Sequence, residues 1–244
     1  MTFSEEELKQ VLKEQKPSRG WEESDEEYLK TLPNLAGIKL KGSFYDNTRL
    51  AGANLCKASF SGDFSDTDFS HAVLAEADLS FCNLQSSSFV RANLKEANLM
   101  RARAVYADFA SASLFMANMK MIIATACDFD LADLNGADMT LGRFARARFI
   151  GAYLREAQLQ SALLVNTNMT DAYLRDAGLR NADLSGCDFT GAYLEGAAIQ
   201  GAIASYSTSF LGAVMPNGER YRERGESPQE ILDRYRVIDL DESP

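Results

Sequence analysis

Large hydrophobic residues recur at every fifth position along most of the chain. From Phe64 to Ala204 there are 29 consecutive pentapeptides, and the recurring position is Leu, Phe, Met or Ile in all but 3 of them. The residue two places earlier is small, most often alanine, and the residue between the two is most often Asp or Asn. This large–polar–small alternation predicts a short strand with two inward side chains, followed by a two-residue corner.

A second period of 20 residues is superimposed on the first. Phenylalanines recur at 69, 89, 109, 129, 149 and 189, and leucines recur at 74, 94, 114, 134, 154, 174 and 194. The pattern predicts a coil with four pentapeptides per turn, in which residues 20 apart stack at ~4.8 Å. With the less regular flanking units included, we expect about nine turns. Phe60 to Phe64 is one residue short and Ala204 to Phe210 one residue long, so each predicts a local bulge or loop.

One row of the pattern exchanges large and small residues. Ala124 takes the large position and Ile122 takes the small position before it. Ala102 and Ala104 lie one turn below. We expect Ile122 to fill the volume that these alanines leave, because cores tolerate exchanges that conserve volume.

Several pentapeptides share a more specific motif. ADLSF (77–81), ANLKE (92–96), ANLMR (97–101), ADLNG (132–136) and ADLSG (182–186) resemble the A(D/N)LXX motif of pentapeptide-repeat proteins. The resemblance covers about residues 35–215 and is typical of bacterial and cyanobacterial members. It implies an all-β solenoid, a right-handed quadrilateral parallel β-helix. We also expect short helical segments at its two ends, from the capping patterns described below.

The pattern divides the chain into three parts: an N-terminal helical cap or extension (1–33), the repeat coil (34–215) and a C-terminal turn with a short helix (216–244). The pairs Ser4/Glu7 and Ser24/Glu27 predict two N-terminal helices, because each pair forms a capping box before apolar residues. Either these helices cover the end of the coil or they bind something else.

The C-terminal part starts with a turn signal at 215–218, followed by the helix start Ser-Pro-Gln-Glu at 227–230. The helix would present Ile231, Leu232 and Tyr235 on one side. One interpretation is a lid over the last turn. The other is a homodimer contact, because gyrase inhibitors of the family, which the chain resembles, pair through their C-terminal ends.

Composition limits the function. The 35 acidic and 25 basic residues give a net charge of −10, most of it in the two tails, so we expect no direct nucleic-acid binding. The sequence contains no membrane span and no signal peptide, and its four cysteines are isolated from one another, which predicts a reduced, cytoplasmic protein without a metal site or cofactor. No catalytic grouping is present either, and we expect no enzyme activity.

Three outward features are candidate binding sites. Tyr153, Tyr173 and Tyr193 should stack on one face beside Arg155 and Arg175, either as a partner site or only as a coil-stabilising stack. An apolar patch should contact a partner or the N-terminal helices; it comprises Val105, Tyr106, Ile123, Leu163 and Val165. A basic cluster is either solvated surface or suited to an acidic protein; it comprises Arg143, Arg146 and Arg148, with Arg103 nearby.

The sequence thus predicts a non-enzymatic scaffold that binds an unidentified protein partner. The alternative is a topoisomerase-binding DNA mimic, resembling the gyrase-inhibitor and quinolone-protection branch of the family. Such mimics need a strongly negative rod. The middle of this chain, residues 33–218, has 18 acidic and 15 basic residues, which disfavours that alternative.

Overall fold

The computed structural model describes residues 34–43, 50–222 and 225–235. Residues 1–33, with the two predicted N-terminal helices, lie outside the described part. The chain winds as a coil in which the central residue of each pentapeptide bridges in parallel to the residue 20 positions later, as in Asp68↔Ser88 and Ser88↔Asp108. Four such ladders run along the coil, as the 20-residue period predicts.

Within the described residues, three longer elements accompany these bridges. Strands β1 (Lys39–Ser43) and β2 (Ser59–Asp63) pair in parallel, with Leu40 opposite Phe60. Helix α1 (Pro228–Arg234) follows the coil, as the sequence predicts.

The corners explain the composition of the repeat. The Ala72 N–H donates to the Phe69 carbonyl at 3.0 Å, which closes a tight turn, and His71 at the second corner position has a φ of 60°. The Asp68 carboxylate accepts from the Ser70 N–H at 3.0 Å. Asp and Asn recur at this position because their side chains satisfy a corner N–H that the ladders leave free.

Stacked side chains fill the coil. The rings of Phe69 and Phe89 stack with centroids 4.8 Å apart, and the stack continues through Phe109 and Phe129 to Phe149 at 4.7 to 5.0 Å. All five rings are fully buried. The spacing equals the distance between turns, so the backbone repeat and the ring stack stabilise the same register.

The row with exchanged sizes lies inside the core. Ile122 and Ala124 are both fully buried, as are Ala102 and Ala104 one turn below. One turn above, the Phe144 ring occupies the space beside Gly142, where any added Cβ would clash with it. The bulky group therefore occupies the small position at Ile122 and returns to the large position at Phe144, beside a glycine, so the two turns exchange volume between the inward positions.

Both predicted irregularities are present. Bridges on either side of the first slip join residues 19 apart (Ser59↔Asp78) and then 20 apart (Asp63↔Asn83), and the extended strand β2 takes the place of a corner. At the second slip the spacing becomes 21 (Asp188↔Ser209). The extra residue lies in the corner that the Thr208 N–H closes on the Ser205 carbonyl.

The C-terminal helix packs against the coil. Ser227 caps it, and the Glu230 side chain completes the capping box that the sequence predicts. Ile231, Leu232 and Tyr235 are buried within the core of the same chain. Their burial favours the lid interpretation, since pairing of two copies through these side chains would require the helix to leave its own coil.

Candidate interaction surface

One ladder of the coil places arginine and aliphatic residues in alternation. Arg103 bridges to Ile123, Ile123 to Arg143, and Arg143 to Leu163.

Corner residues flank this ladder on both sides. Those that precede it in the sequence of each turn are Arg101, Met121 and Leu141, and those that follow it are Val105, Tyr106, Arg146 and Val165. We call the ladder with these corner residues the Arg103 face. It unites the predicted apolar patch with three of the four arginines of the predicted basic cluster.

The Arg103 face contains no acidic residue over five successive turns. Segments 80–86, 100–106, 120–126, 140–146 and 160–166 contain no Asp or Glu, whereas they contain Arg101, Arg103, Lys120, Arg143 and Arg146. A protein with net charge −10 thus presents one locally positive side.

Most of these charges lack an acidic partner within the part of the chain that the structure describes. Arg101 contacts the Met121 sulfur through Nε at 3.3 Å and lies over the Phe81 ring. The Arg103 Nη2 donates to the Gln85 Oε1 at 3.4 Å. Lys120 forms an ion pair with Asp138 at 3.0 Å. Burial works to raise the pKa of Asp138, but hydrogen bonds from Thr140 and Lys120 outweigh it and lower that pKa.

Arg148 leaves the predicted cluster. Its guanidinium forms an ion pair with Asp130 on the next side of the coil and lies 3.6 Å from Asp128. The hydrogen bond that the Arg148 guanidinium donates to the Asp130 carboxylate raises the pKa of Arg148. Arg143 and Arg146, by contrast, form no ion pair with any residue of the described ranges.

Large apolar side chains occupy strained corners in the same part of the coil. Within the described residues, the bulky apolar residues with positive φ all lie between 81 and 141 and are all exposed; they are Phe81, Tyr106, Met116, Met121, Leu131 and Leu141. The left-handed region costs an L-residue about 1–2 kcal/mol, and glycine relieves that cost. Neither backbone geometry nor core packing accounts for large apolar residues here, which makes them candidates for contact with another surface.

A shallow groove lies along one edge of the Arg103 face. Its volume is about 380 Å³, and Met100, Arg101, Lys120, Met121, Thr140 and Leu141 line it. Methionine adapts to irregular surfaces, and arginine is enriched at protein–protein hot spots. Sequence reasoning missed Met121, Leu141 and Phe81, although their signal was a large apolar residue at a corner position that most turns fill with glycine or a polar residue.

The remaining predicted residues of the Arg103 face lie where the pattern places them. Tyr106 and Leu163 are exposed, at 65% and 41%, whereas Val105, Ile123 and Val165 are half-buried.

The predicted tyrosine stack lies on a different side. Tyr153 and Tyr173 stack with centroids 5.1 Å apart and an interplanar angle of 8°, and Tyr173 and Tyr193 stack at 5.1 Å and 2°. Arg155 forms an ion pair with Glu156 at 3.0 Å, and Arg175 with Asp176 at 3.5 Å. We call these three tyrosines and two arginines the Tyr153 face. Its arginine charges are matched locally, unlike those of the Arg103 face.

The described residues contain no cluster of His, Cys, Asp and Glu that could hold a metal ion. Burial raises the pKa of the Cys127 and Cys187 thiols to about 12. The Cys127 thiol contacts the Ala104 carbonyl at 2.6 Å, and the Cys187 thiol contacts the Leu164 carbonyl at 2.9 Å. At neutral pH these groups are protonated core residues, poor nucleophiles and poor metal ligands.

A search of the described residues for a helix with the length and apolarity to cross a membrane finds none.

Comparison with known protein families recognises the five-residue repeat that produces this coil. The family described as Pentapeptide repeats matches in eight copies, over residues 34–62, 63–101, 77–114, 127–171, 152–191 and 167–203. The matched segments cover more than half of the chain, and the protein belongs to the pentapeptide repeat family.

Solved structures similar to this chain come from the same family. HetL, a protein involved in heterocyst differentiation regulation from the cyanobacterium Nostoc sp. strain PCC 7120, is 28% identical; the match covers 77% of this chain and 91% of HetL, with a TM-score of 0.38. Trypsin-treated QnrB1, a plasmid-mediated fluoroquinolone resistance protein, is 20% identical over 68% of this chain and 89% of its own, with a TM-score of 0.34.

A pentapeptide repeat protein from the Arabidopsis thaliana thylakoid lumen is 26% identical over 50% of this chain and 67% of its own, with a TM-score of 0.26. No curated protein matches the chain significantly.

Proposed function

We propose that the protein is a non-enzymatic, cytoplasmic scaffold that binds a protein partner through the Arg103 face. We take its coil to be the right-handed, four-sided β-helix of the family, with about nine turns. Residues 1–33 and 216–244 would form the two end segments. In a protein of this kind the core sets the shape, and function depends on which side chains the outer surface presents.

Three properties coincide on the Arg103 face and favour it as the binding surface: corner residues with positive φ, exposed large apolar side chains, and positive charge. Met121 and Leu141 are large apolar residues with φ of 57° and 58°, and 40% and 47% of their surface is exposed. Arg143 and Arg146, which form no ion pair within the described residues, lie beside them. A partner with apolar and acidic side chains that covers the face would bury the exposed apolar surface and pair the arginines.

The same chemistry specifies the partner. It should present apolar anchors to Met121 and Leu141 and carboxylates to Arg143 and Arg146. A protein suits this description better than nucleic acid, because the net charge of −10 repels polyanions at long range.

We assign the Tyr153 face a stabilising role in the coil. Arg155 and Arg175 are already ion-paired, and the stacked rings already bury one another's faces. This face therefore provides a matched control for the Arg103 face.

DNA mimicry is the alternative function, and the charge distribution disfavours it. A mimic needs negative potential around the rod, which the acid-free Arg103 face interrupts. A supercoiling assay with purified gyrase tests this alternative directly, and inhibition or protection at micromolar protein would support it.

The proposed function predicts that capture of a partner from native lysate depends on charge at one face only. We expect Arg143→Glu/Arg146→Glu to reduce the captured partner at least about tenfold, since truncating or reversing interface charges costs ~2 kcal/mol or more. Arg155→Glu/Arg175→Glu should retain the partner. Melting curves confirm that both variants fold. Loss of the partner in the second variant but not in the first would contradict the proposal.

A further inference from the structure

The ladder of the Arg103 face continues beyond Leu163. Leu163 bridges to Asp183, and Asp183 bridges to Ile203. Leu163 and Ile203 are exposed, at 41% and 55%, and Asp183 is half-buried. Apolar and charged positions alternate along the ladder, and the two charges on either side of Leu163 are opposite. The five residues in order are Ile123, Arg143, Leu163, Asp183 and Ile203.

A second copy laid antiparallel against this ladder meets complementary positions throughout. A two-fold axis at Leu163, perpendicular to the coil, sets Leu163 against Leu163 of the second copy, and residues equally far above and below it face each other. Arg143 then faces Asp183 of the second copy, one turn or ~4.8 Å from the axis. Ile123 faces Ile203 of the second copy, two turns or ~9.6 Å from the axis. Every charge thus meets the opposite charge, and every apolar residue meets an apolar one.

Other arrangements of the same two ladders bring like charges together. A parallel pair would set Arg103 and Arg143 against their own counterparts at equal heights. An antiparallel pair centred on Arg143 would oppose two arginines, and one centred on Ile123 would oppose Arg103 and Arg143. Like charges across an interface disfavour association. The order of residues on the ladder therefore selects the antiparallel register centred on Leu163.

We propose that the protein forms an antiparallel homodimer through this ladder, with the two-fold axis at Leu163. The proposal rests on the proposed function, because it takes the same side of the coil as the binding surface and names a second copy as an occupant. A two-fold contact uses the same surface on both copies, so association stops at two chains. It differs from pairing through the C-terminal helix, and Ile231 and Leu232 stay buried in their own coil.

The two charged residues are placed to form the intermolecular pair. Arg143 is exposed and forms no ion pair with any residue of the described ranges. The Asp183 Oδ1 accepts from the Ser185 N–H at 3.0 Å, and Asp183 also forms no ion pair within those ranges. The Asp183 Oδ2 can accept from the guanidinium of the second copy. Apolar pairs on both sides would shield this charge-assisted hydrogen bond from water and strengthen it.

Corner residues beside the ladder differ in size in a complementary way. The two-fold axis exchanges up and down but not left and right, so each corner faces the same corner of the second copy. Met121, which is exposed with a φ of 57°, faces Gly201 of the second copy. Tyr206, of which 94% is exposed, faces Ala126 of the second copy. Each large exposed side chain therefore meets a small residue that leaves room for it.

The size of the contact sets the expected affinity. Five turns at ~4.8 Å, on a side ~20 Å wide with its corner side chains, give about 500 Å² on each copy. A stable interface of standard size buries about 800 Å² on each partner, so we expect a weak, reversible dimer with a dissociation constant on the order of 10–100 μM. The net charge of −10 opposes association at long range, and physiological salt, with a screening length of about 8 Å, reduces that repulsion.

Cross-linking with a short bismaleimide tests the contact. The full-length chain carries Cys56→Ser, since the other three cysteines are buried. Leu163→Cys should give a covalent dimer at least about ten times faster than Tyr173→Cys, because only residue 163 lies on the two-fold axis. The two replaced side chains are equally exposed, at 41% and 42%. Equal rates, or no covalent dimer from Leu163→Cys, would overturn the proposal.

A mixture of Ile123→Cys and Ile203→Cys tests the direction of packing. The antiparallel register places these two residues opposite each other, whereas the two copies of residue 123 are ~19 Å apart. The mixture should therefore cross-link, and Ile123→Cys alone should not. Cross-linking of Ile123→Cys alone as readily as the mixture would indicate a parallel pair and refute the register.

A charge swap within one chain tests the ion pairs. Sedimentation of the wild type should show a concentration-dependent equilibrium between monomer and dimer. Arg143→Asp and Asp183→Arg should each weaken the dimer at least about tenfold, and both together should restore it, because each dimer regains the two pairs in reverse. Melting curves establish that the variants fold. A folded double variant that does not dimerise would refute the pairing.

The dimer and the proposed function can fail separately. If the wild type stays monomeric while partner capture still depends on Arg143 and Arg146, the dimer proposal fails and the proposed function stands. If Leu163→Cys cross-links while capture is indifferent to both arginines, the proposed function fails.

Discussion

Arg143 and Arg148 occupy equivalent positions in successive pentapeptides, yet only Arg148 meets a carboxylate. The Arg148 Nε donates to Asp130 at 3.1 Å, whereas Arg143 forms no ion pair within the described residues. The difference follows from the ladder on which each residue lies. Asp130 is on the corner beside Arg148, whereas the side that contains Arg143 has no acid in the five turns between residues 80 and 166. Local pairing, and not the number of arginines, decides which side of this protein is positive.

Ile122→Ala should destabilise the coil by about 2–4 kcal/mol, because it opens a cavity in a fully buried row that alanines already surround. Ile123→Ala is the matched control, since the neighbouring side chain points outward and its loss should change the free energy of unfolding by about 0.5 kcal/mol or less. Chemical denaturation measures both. Equal effects of the two substitutions would show that Ile122 does not fill the row.

Met121→Gly should be more stable than Met121→Ala by about 0.5–1 kcal/mol. Both substitutions remove the same contacts, but alanine keeps the cost of a φ near 57° and glycine relieves it. The gain is partly offset because glycine loses more chain entropy on folding. The measurement is the difference in free energy of unfolding between the two variants, and an alanine variant as stable as the glycine variant would refute the claim of strain at this corner.

Tyr173→Ala should destabilise the coil more than Tyr193→Ala. Tyr173 stacks on a ring at each side, whereas Tyr193 stacks on a tyrosine at one side only, and each stack contributes ~0.5–1.5 kcal/mol. Tyr173→Phe keeps both stacks, so its free energy of unfolding should lie within about 0.5 kcal/mol of the wild-type value. If the alanine and phenylalanine variants at 173 unfold alike, the stack contributes nothing to stability.

Alkaline conditions should weaken the fold through two buried cysteines. Burial raises the pKa of Cys127 and Cys187 to about 12 from an ordinary value of 9.0. Below about pH 8 the thiols are neutral in both states. Between pH 9 and 12 the unfolded chain releases these protons and the folded chain does not, so stability falls as pH rises.

The comparison that isolates this effect is wild type against Cys127→Ala/Cys187→Ala. The free energy of unfolding should fall less steeply between pH 9 and 11 in the double variant, while both proteins show the same slope below pH 8. Identical slopes above pH 9 would mean that the two thiols are not shielded from water in the native state.

Periodicity was sufficient to predict the core and the register. A single shift in the five-residue pattern would move Phe89 or Leu94 to the surface, so the sequence allows only one winding of the coil. Both slips, at Phe60 and after Ala204, were visible as missing or extra residues. Handedness is not encoded in spacing, and it entered only through resemblance to the family.

The binding surface was harder to predict, because the corners accept many residue types at the same backbone geometry. Met121 and Leu141 interrupt no repeat, so their exposure and strain became apparent only with the dihedral angles. Arg148 is a second case. Its partner Asp130 is separated from it by 18 residues in the sequence and not by 20, so the repeat does not place the two side by side. They meet because the long arginine side chain reaches around a corner of the coil.

The most direct test of the central claim is site-specific photo-crosslinking from both faces in the native lysate. A photoreactive residue replaces Leu141 or Tyr173, whose exposed fractions are similar at 47% and 42%. We predict that the probe at 141 forms a covalent adduct with a partner protein, and that Arg143→Glu/Arg146→Glu abolishes the adduct. The probe at 173 should form none. An adduct from 173 alone would contradict the account and assign binding to the tyrosine stack.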